Sequence, residues 1–312
     1  MFTKKKVKPL AQKFVAHRGA TNEAPGNTLP HFPENSLPAL LEAYHQQVIY
    51  VECDIHATND NQIIVLHDNT LRKTARYNLQ MAISLTEVEF NKMIDTDVSQ
   101  LSYKDHLSQV DIGTYADYLG SRFTGTKIPL LSDFLEQLKN FPERKLVIEL
   151  KPGDIKIIQL LVPLVKDAKL NSDQLIFISF DFNLIQQCKQ NLPSFRHLFL
   201  TVAQDEPKPS KVNYHVVKTL ADLYKVIQKV KEAKLDGLDL EYDEALTKFI
   251  PIVTKHRLLA AVWTYPKDDN VYMATKMLQA GADLINTNQP ELLFRELSQE
   301  SQSLKKYLEI KF

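Results

Sequence analysis

The sequence predicts a (β/α)8 TIM barrel with a small insertion after the second strand. Short β-branched runs alternate with segments of helical periodicity, eight such runs can be counted, and a chain of 312 residues has the length that eight units need. This number of alternating units favours a closed barrel over an open doubly wound sheet, which is the structural alternative. Ordinary globular composition, 44% hydrophobic and 24% charged, supports a sizeable core.

The predicted elements follow one another along nearly the whole chain. Strands are predicted at 14–17, 48–55, 146–151, 175–180, 196–201, 237–242, 258–265 and 282–286, with a further short strand at 63–68. Helices are predicted through LPALLEAYHQ and near 131–139, 154–168, 182–191, 221–233, 244–256 and 271–280. Asn35, Asp154 and Asp181 are candidate N-caps, and Gly281 stands where a C-terminal glycine is expected.

One region departs from the alternation. Residues 77–128 contain a candidate capping box from Thr86 to Glu89 but no clear strand. We interpret this region as a small insertion on the barrel, with a lid as one role for it. The domain prediction is therefore an N-terminal arm at 1–13 and a barrel at 14–312 that includes the insertion.

Charge and cysteine content exclude several classes of partner. With 38 basic and 38 acidic residues the chain has no general field to hold nucleic acid, so none is predicted as a partner. Cys53 and Cys188 are too few and too far apart for a disulfide framework or a thiolate cluster, which favours a reducing, cytoplasmic setting. No apolar stretch reaches about 18 residues, so no stable membrane insertion is predicted. The oligomeric state stays open.

The predicted strands end in polar residues. In a (β/α)8 barrel the active site is built at the C-terminal ends of the strands, so these residues are expected to meet at one mouth. They are His17-Arg18-Gly19, Glu52-Cys53-Asp54, Glu149-Leu150-Lys151, Ser179, Thr201, Glu241 and Trp263.

Two carboxylates of the second strand are spaced for a shared face. Glu52 and Asp54 are two residues apart, so their side chains point the same way and repel each other unless a cation lies between them. With Glu34 and Glu149 nearby, a hard divalent cation such as Mg²⁺ or Ca²⁺ is the natural occupant. Taken alone, this spacing favours simple pairing with basic side chains, which is the alternative interpretation.

Two histidines stand beside charged residues at strand ends. His17 precedes Arg18 and His67 precedes Asp68, a context that favours catalysis, whereas a lone histidine is as often structural. The other histidines lack that context and are predicted to be structural or surface residues: His31, His45, His56, His106, His197, His215 and His256.

Three further residues have a functional and a structural interpretation. Arg18 and Lys151 are suited to hold phosphate oxygens, or to neutralise carboxylates, and the two roles are compatible. Trp263 is a candidate apolar wall for a small substrate, with barrel packing as the alternative. Cys53 points away from its acidic neighbours and is predicted to be a core thiol.

The motifs resemble those of glycerophosphodiester phosphodiesterases, in the same order. They are VAHRG at 15–19, PENS at 33–36, VECDIHATNDNQIIVLHD at 51–68, LVIELKPG at 146–153 and AVWTYP at 261–266. VDIGTY at 110–115 and the later KIPLLSDFLEQL resemble the family's insertion and the helix after it. Each motif is weak alone, but five in order across nearly the whole chain are a strong signal.

The resemblance implies a barrel, one divalent metal ion, and cleavage of small glycerophosphodiesters to glycerol 3-phosphate and an alcohol. It implies the following roles: His17 and His67 as general acid and base, Glu52, Asp54 and Glu149 as ligands of Mg²⁺ or Ca²⁺, Arg18 and Lys151 as phosphate contacts, and Glu34 with Asn35 as supporting residues. From these roles we expect a two-step reaction through a cyclic phosphate, in which one histidine activates the glycerol hydroxyl and the other protonates the leaving alcohol.

The sequence departs from the family pattern in the loop before the first helix and near the C-terminus. PGNTLP at 25–30 is similar to the PEN motif. We assign the motif to the later segment, Pro33-Glu34-Asn35, because Glu34 retains the carboxylate. Asn61 replaces an expected turn glycine. Asn286 and Asn288 stand where relatives often carry Asp, which weakens any role carried over to the last strand.

Three other functions are weighed against this one. A lysophospholipase D-like activity on lysolipids is the nearest, and the absence of an obvious tail-binding stretch favours water-soluble diesters. A non-catalytic barrel that binds phosphodiesters is disfavoured because both histidines and the acids are present. A nucleic-acid phosphodiesterase is disfavoured by the neutral charge.

Overall fold

Eight parallel strands close into a barrel, as the sequence predicts. The computed structural model describes residues 13–24, 26–153, 155–204 and 214–298. Strand β1 pairs with β2 on one side and with β9 on the other, which joins the first and last parallel strands and closes the sheet. The strands are β1 Phe14–Ala16, β2 Tyr50–Ala57, β3 Ile63–Val65, β4 Lys145–Leu150, β5 Leu175–Ser179, β6 Arg196–Thr201, β7 Gly237–Glu241, β8 Leu259–Trp263 and β9 Leu284–Thr287.

Helices cover the outside of this barrel. They are α1 Leu37–His45, α3 Leu131–Lys139, α4 Lys156–Ala168, α5 Phe182–Asn191, α6 Leu220–Glu232, α7 Ile250–Lys255 and α8 Val271–Ala280, and residues 290–298 are also helical. Helix α2 Glu87–Met93 lies instead in the segment after β3. Within the described ranges, no helix combines the length and apolar character that crossing a bilayer requires.

Side-chain alternation along the strands produces two apolar layers. Residues such as Cys53 and Ile55 on β2 are fully buried between the barrel and its helices. Tyr50 on the same strand points inward and packs with Val147 and Ile176 in the barrel interior. Each such buried aliphatic side chain contributes roughly 1.5–3 kcal/mol. Cys53 is therefore a core thiol, as predicted, and its neighbours in sequence face the interior.

The ends of the helices partly confirm the predicted caps. Asp181 accepts hydrogen bonds from the backbone of Asn183 and caps α5, and Gly281 ends α8 in a left-handed conformation. The prediction of Asn35 as the cap of α1 is wrong, because Ser36 accepts from the Ala39 amide while Asn35 turns toward the barrel. The predicted cap Asp154 lies outside the described residues.

Two predicted elements have a different form. The helix predicted at 244–256 is a 3-10 helix over Glu244–Phe249 followed by α7. The strand predicted at 63–68 is β3, which pairs antiparallel with the end of β2 and is not a barrel strand. Asn61, in the tight turn between β2 and β3, has φ of 63°, a conformation that asparagine tolerates.

The segment after β3 has an apolar cluster of its own. Its residues include Leu71, Met81, Phe90, Val98 and Leu107, all buried. In residues 77–128 the structure has α2, which begins with the predicted capping box, and short 3-10 turns, but no strand. A chain segment with few long elements depends on side-chain contacts to hold it on the barrel.

Asp60 provides such a contact. Its carboxylate accepts hydrogen bonds from the Thr58 hydroxyl (2.6 Å), the Ser102 hydroxyl (3.0 Å), the Tyr103 amide (2.8 Å) and the Lys104 amide (3.1 Å). Burial would raise the pKa of Asp60, but these hydrogen bonds hold it below its usual value. The β2–β3 turn is thereby tied to the segment that follows β3.

We expect Asp60→Asn to lower the free energy of unfolding by about 1–3 kcal/mol, because charge-assisted hydrogen bonds are lost. Since the folded pKa lies below the unfolded value of about 3.9, the stabilisation is present above that pH and disappears as the pH falls toward the folded pKa. The difference from the parent in chemical denaturation should therefore shrink below about pH 4. Asp95→Asn, which removes an exposed partner of Arg72, is the matched control; an equal effect of both variants would contradict this account.

Candidate active site at the mouth of the barrel

A cavity of about 880 Å³ opens at the C-terminal ends of the strands. This volume is within the range of small-molecule sites. The predicted residues that line it are His17, Arg18, Glu34, His67, Glu149, Lys151 and Trp263. The structure thus brings residues from distant parts of the sequence to one mouth.

Three of the predicted acids meet just below this mouth. Carboxylate oxygens of Glu52, Asp54 and Glu149 lie within 4.8 Å of one another. All three residues are buried. Burial, followed by the charges of Asp54 and Glu149, raises the pKa of Glu52 well above its usual value.

Two basic side chains partly neutralise these acids. The Lys151 ammonium lies 2.6 Å from Asp54 and 2.7 Å from Glu149, and the Arg18 guanidinium lies 3.5 Å from Asp54. Burial would lower the pKa of Lys151, but Asp54 and Glu149 raise it, so the ammonium stays charged. The ion pairing that the sequence offered as an alternative is therefore present at the site.

This ion pairing leaves capacity for a further cation. If all three acids are ionised, as they would be around a bound cation, they exceed the two basic groups by one formal negative charge. Among the described residues, Glu52 Oε1 is buried and has no hydrogen-bond partner, which is costly for a carboxylate oxygen. An all-oxygen donor set with an orphaned buried oxygen fits a hard divalent cation.

Unusual backbone conformations place Arg18 and Asn35. Both have left-handed φ values, 57° and 54°, at a cost of about 1–3 kcal/mol each. The turn at Arg18 points its amide at Glu52 Oε2 (3.0 Å), and Asn35 donates from its side chain to Asp54 Oδ2 (2.8 Å). The cost in backbone strain is offset by hydrogen bonds that orient two of the acids.

Gly19 meets a steric requirement beside this turn. It has φ of 90°, and a Cβ atom there would lie 2.6 Å from the Cβ of Ala39 on α1. Only glycine allows the loop after β1 to pass this close to the helix.

Glu34 does not join the three acids. Its carboxylate contacts Arg18 (3.1 Å) and Lys73 (2.9 Å), and these two cations lower its pKa against the effect of burial. The Glu34 amide also donates to the Tyr115 hydroxyl (3.5 Å) of the segment after β3. Glu34 is therefore placed to orient Arg18. In the PGNTLP segment, which resembles the PEN motif, Asn27 accepts a hydrogen bond from the nearby Leu29 amide.

His17 is hydrogen-bonded to the last strand region. Its Nδ1 lies 2.6 Å from Asn288 Oδ1, and the Asn288 amide nitrogen donates to the Glu23 carbonyl (3.5 Å). Because the amide oxygen accepts, Nδ1 carries the proton and Nε2 keeps a free lone pair. Burial, followed by the charge of Arg18, lowers the pKa of His17 to about 3.

His67 has a charged partner instead. Its Nδ1 lies 2.6 Å from Asp68 Oδ1, and the His67 carbonyl is 3.1 Å from His56 Nε2. Burial, followed by Lys151, lowers the pKa of His67 to about 4. Asp68 stabilises the protonated ring, and both imidazoles are neutral at pH 7 in the free protein.

Several residues at this site were missed at the sequence level. Lys73, Asn288 and Tyr115 contact predicted site residues, and His56, predicted to be a structural or surface residue, also lines the cavity. The closeness of His56 and Lys73 to His67 in the sequence was an available signal. Asn288 is 271 positions from His17, and the available signals were its place after the last strand and its correspondence to an Asp of the family pattern.

We expect Asn288→Asp to raise the pKa of His17 by about 1 or more, because a carboxylate stabilises the imidazolium that a neutral amide does not. Imidazole proton shifts followed by NMR across pH measure this directly. Asn286→Asp adds the same charge to the same cavity, but Asn286 Oδ1 has no hydrogen-bond partner among the described residues, so this variant is the matched control. An unchanged His17 pKa in Asn288→Asp would contradict the proposed hydrogen bond.

The chain is similar to known phosphodiesterases along most of its length. The profile of the Glycerophosphoryl diester phosphodiesterase family matches residues 17–292. A glycerophosphodiester phosphodiesterase of Caldanaerobacter subterraneus subsp. tengcongensis is 22% identical over 282 residues, which cover 89% of this chain and 95% of that protein. Lysophospholipase D GDPD1 of Rattus norvegicus is 26% identical over 157 residues, 50% of this chain and 42% of that protein.

A solved structure shows the same fold. An Oleispira antarctica phosphodiesterase, in complex with the product sn-glycerol-3-phosphate, aligns with a TM-score of 0.67 at 19% identity and covers 92% of this chain and 96% of its own. This chain therefore has the fold of a barrel phosphodiesterase. Because the family profile spans most of its length, the chain belongs to the glycerophosphodiester phosphodiesterase family.

Proposed function

We propose that the protein hydrolyses glycerophosphodiesters to glycerol 3-phosphate and an alcohol, with one divalent metal ion at Glu52, Asp54 and Glu149. The observation that carries this is the joint presence, at one mouth, of three close carboxylates and two histidines. A bound Mg²⁺ or Ca²⁺ would supply Lewis-acid stabilisation of charge on the phosphoryl oxygens.

Arg18 and Lys151 bind and orient the phosphodiester. Both are held charged by buried carboxylates, so they present fixed positive charge to an anion without reorganisation. With a divalent cation added, the three acids and two basic groups carry one net positive charge. That charge matches the single negative charge of a phosphodiester.

His17 and His67 move the protons. The bound anion raises the pKa of both rings, and the Asp68 carboxylate makes His67 the better holder of a proton. We assign His17 Nε2 to accept the proton of the glycerol hydroxyl that attacks phosphorus, and His67 to protonate the leaving alcohol. Water then opens the cyclic phosphate, with the two histidines in reversed roles.

A metal-reconstituted assay on a panel of glycerophosphodiesters, with detection of glycerol 3-phosphate, tests this proposal. We expect turnover that is abolished by chelation with EDTA and restored by Mg²⁺ or Ca²⁺. Lysophosphatidylcholine belongs in the panel, because one relative is named a lysophospholipase D. Faster release of choline from the lysolipid than from glycerophosphocholine would move the proposal to that activity.

A further inference from the structure

The cavity has an aromatic side that the proposed chemistry does not use. Phe180, Tyr214, Trp263 and Tyr265 line it, opposite in character to the side with Arg18 and Lys151, and we call these four residues the aromatic side. Phe180 directly follows strand β5, Trp263 is the last residue of β8, and Tyr265 lies two residues after it. Tyr214 lies in the loop before Val216. All four are half-buried, so part of each ring is exposed, and the Lys267 ammonium lies 5.8 Å from the ring centroid of Tyr265.

The rings of the aromatic side meet at steep angles. The Phe180 centroid lies 5.0 Å from that of Tyr214 and 5.8 Å from that of Trp263, with interplanar angles of 73° and 90°. Trp263 and Tyr265 are 5.4 Å apart at 68°. Such rings form corners between ring faces, and ring faces carry the negative end of the aromatic quadrupole. A corner of this kind attracts a cation, and in particular a methylated ammonium group.

The orientation of Trp263 is held by the barrel. Its indole Nε1 donates to the Thr201 carbonyl at 3.1 Å. The polar edge of the indole is thereby satisfied by the protein and is not required by a ligand. Ring preorganisation of this kind lowers the entropy cost of binding.

An acidic groove adjoins the aromatic side. Tyr265 also lines a second cavity of about 490 Å³. Its charged residues are Glu241, Asp243, Glu244, Asp268 and Lys267, four carboxylates against one ammonium. This net negative charge favours a positively charged ligand group beside the groove and disfavours an anionic alcohol.

We propose that the aromatic side binds the ammonium group of the substrate's alcohol, so that diesters of amino alcohols such as choline are preferred over diesters of neutral or anionic alcohols. This inference rests on the proposed function, since it assigns one end of the same substrate. The phosphate then lies at the basic side and the ammonium at the aromatic and acidic side, which matches the charge separation of a zwitterionic diester.

Trp263 provides a direct measurement, because it is the one tryptophan of the sequence. Its fluorescence is titrated with choline and with 3,3-dimethylbutan-1-ol, which has the same shape without the charge, at equal ionic strength. We expect saturable binding of choline that is roughly fivefold or more tighter than binding of the neutral alcohol. Equal affinities, or a fluorescence response to neither compound, would overturn the proposal. Tighter binding of hexan-1-ol than of choline would also overturn it and would indicate an acyl-chain groove.

Variants that retain Trp263 test the neighbouring rings. Phe180→Leu and Tyr265→Leu keep apolar bulk but remove a ring, and each should weaken choline binding roughly threefold or more while binding of the neutral alcohol changes less. Tyr224→Leu, on the outer face of α6, is the matched control and should leave both affinities unchanged. Parental choline affinity in both ring variants would refute the aromatic site.

Turnover separates this inference from the proposed function. Glycerophosphocholine and the glycerophosphodiester of 3,3-dimethylbutanol are compared by kcat/KM in the parent and in Tyr265→Leu. A preference for the choline diester that falls in the variant supports the inference, and equal kcat/KM values for the two diesters in the parent overturn it. Selective choline binding without hydrolysis of any diester would refute the proposed function and support the ammonium site.

Discussion

We expect His17→Ala and His67→Ala each to lower kcat for glycerophosphocholine roughly 10²- to 10⁴-fold, which corresponds to about 3–5 kcal/mol of lost barrier reduction. Each ring has a defined partner, Asn288 or Asp68, so removal of one imidazole removes one proton-transfer group and leaves the acids in place. The measurement is steady-state release of glycerol 3-phosphate at saturating metal and substrate.

His45→Ala is the control for the general effect of losing an imidazole. His45 is exposed at the end of α1, away from the cavity, and its replacement should leave kcat within about twofold of the parent. Circular dichroism and thermal unfolding show whether the variants are folded. A folded His17→Ala or His67→Ala protein with the parental rate would remove that histidine from the mechanism.

We expect Glu52→Gln to raise the metal concentration for half-maximal activity by roughly a hundredfold or more. Loss of a group that only orients a ligand already costs about 10- to 100-fold in metal affinity, and Glu52 is one of three proposed ligands. Glutamine keeps the shape and can still accept the hydrogen bond from the Arg18 amide. The measurement is activity and calorimetric binding across a Mg²⁺ or Ca²⁺ titration.

In the absence of metal, Glu52→Gln should not be harmful to the protein's stability. Glu52 is buried beside Asp54 and Glu149, and this environment opposes its ionised form, so a neutral glutamine should leave the metal-free protein at least as stable as the parent. The increase in Tm on metal addition should be smaller than in the parent. Glu136→Gln, on the surface of α3, is the control, and an unchanged metal response of Glu52→Gln would contradict the proposed metal site.

The sequence was sufficient for the fold and the family. Alternation of β-branched runs with helical periodicity reflects burial on both faces of parallel strands, and that signal is local enough to place all eight barrel strands. The prediction was wrong at the N-terminus of α1, where two adjacent residues are both suited to cap the helix. Asparagine is a preferred residue at helix N-caps, but the Asn35 side chain donates to Asp54 and Ser36 caps the helix.

The site was only partly accessible from the sequence. Strand alternation placed Glu52 and Asp54 on one face of β2. His17, Lys151 and Glu149 were selected because they stand at the C-terminal ends of predicted strands, where barrel active sites are built. Their proposed catalytic and binding roles remain predictions. The two interpretations of the acids, metal binding and ion pairing, could not be separated locally, because both require the same residues and differ only in which oxygen atoms find partners.

The sequence by itself determined which residues stand at the ends of strands, because periodicity and chain order are properties of neighbouring residues. The tertiary structure decided the partners of those residues: Asn288 for His17, Lys73 for Glu34 and an aromatic corner around Trp263. Asn288 reaches His17 because the barrel closes and brings β1 beside β9. Hydrogen bonds, charges and ring angles act over a few ångströms of space, which the order of the chain does not encode.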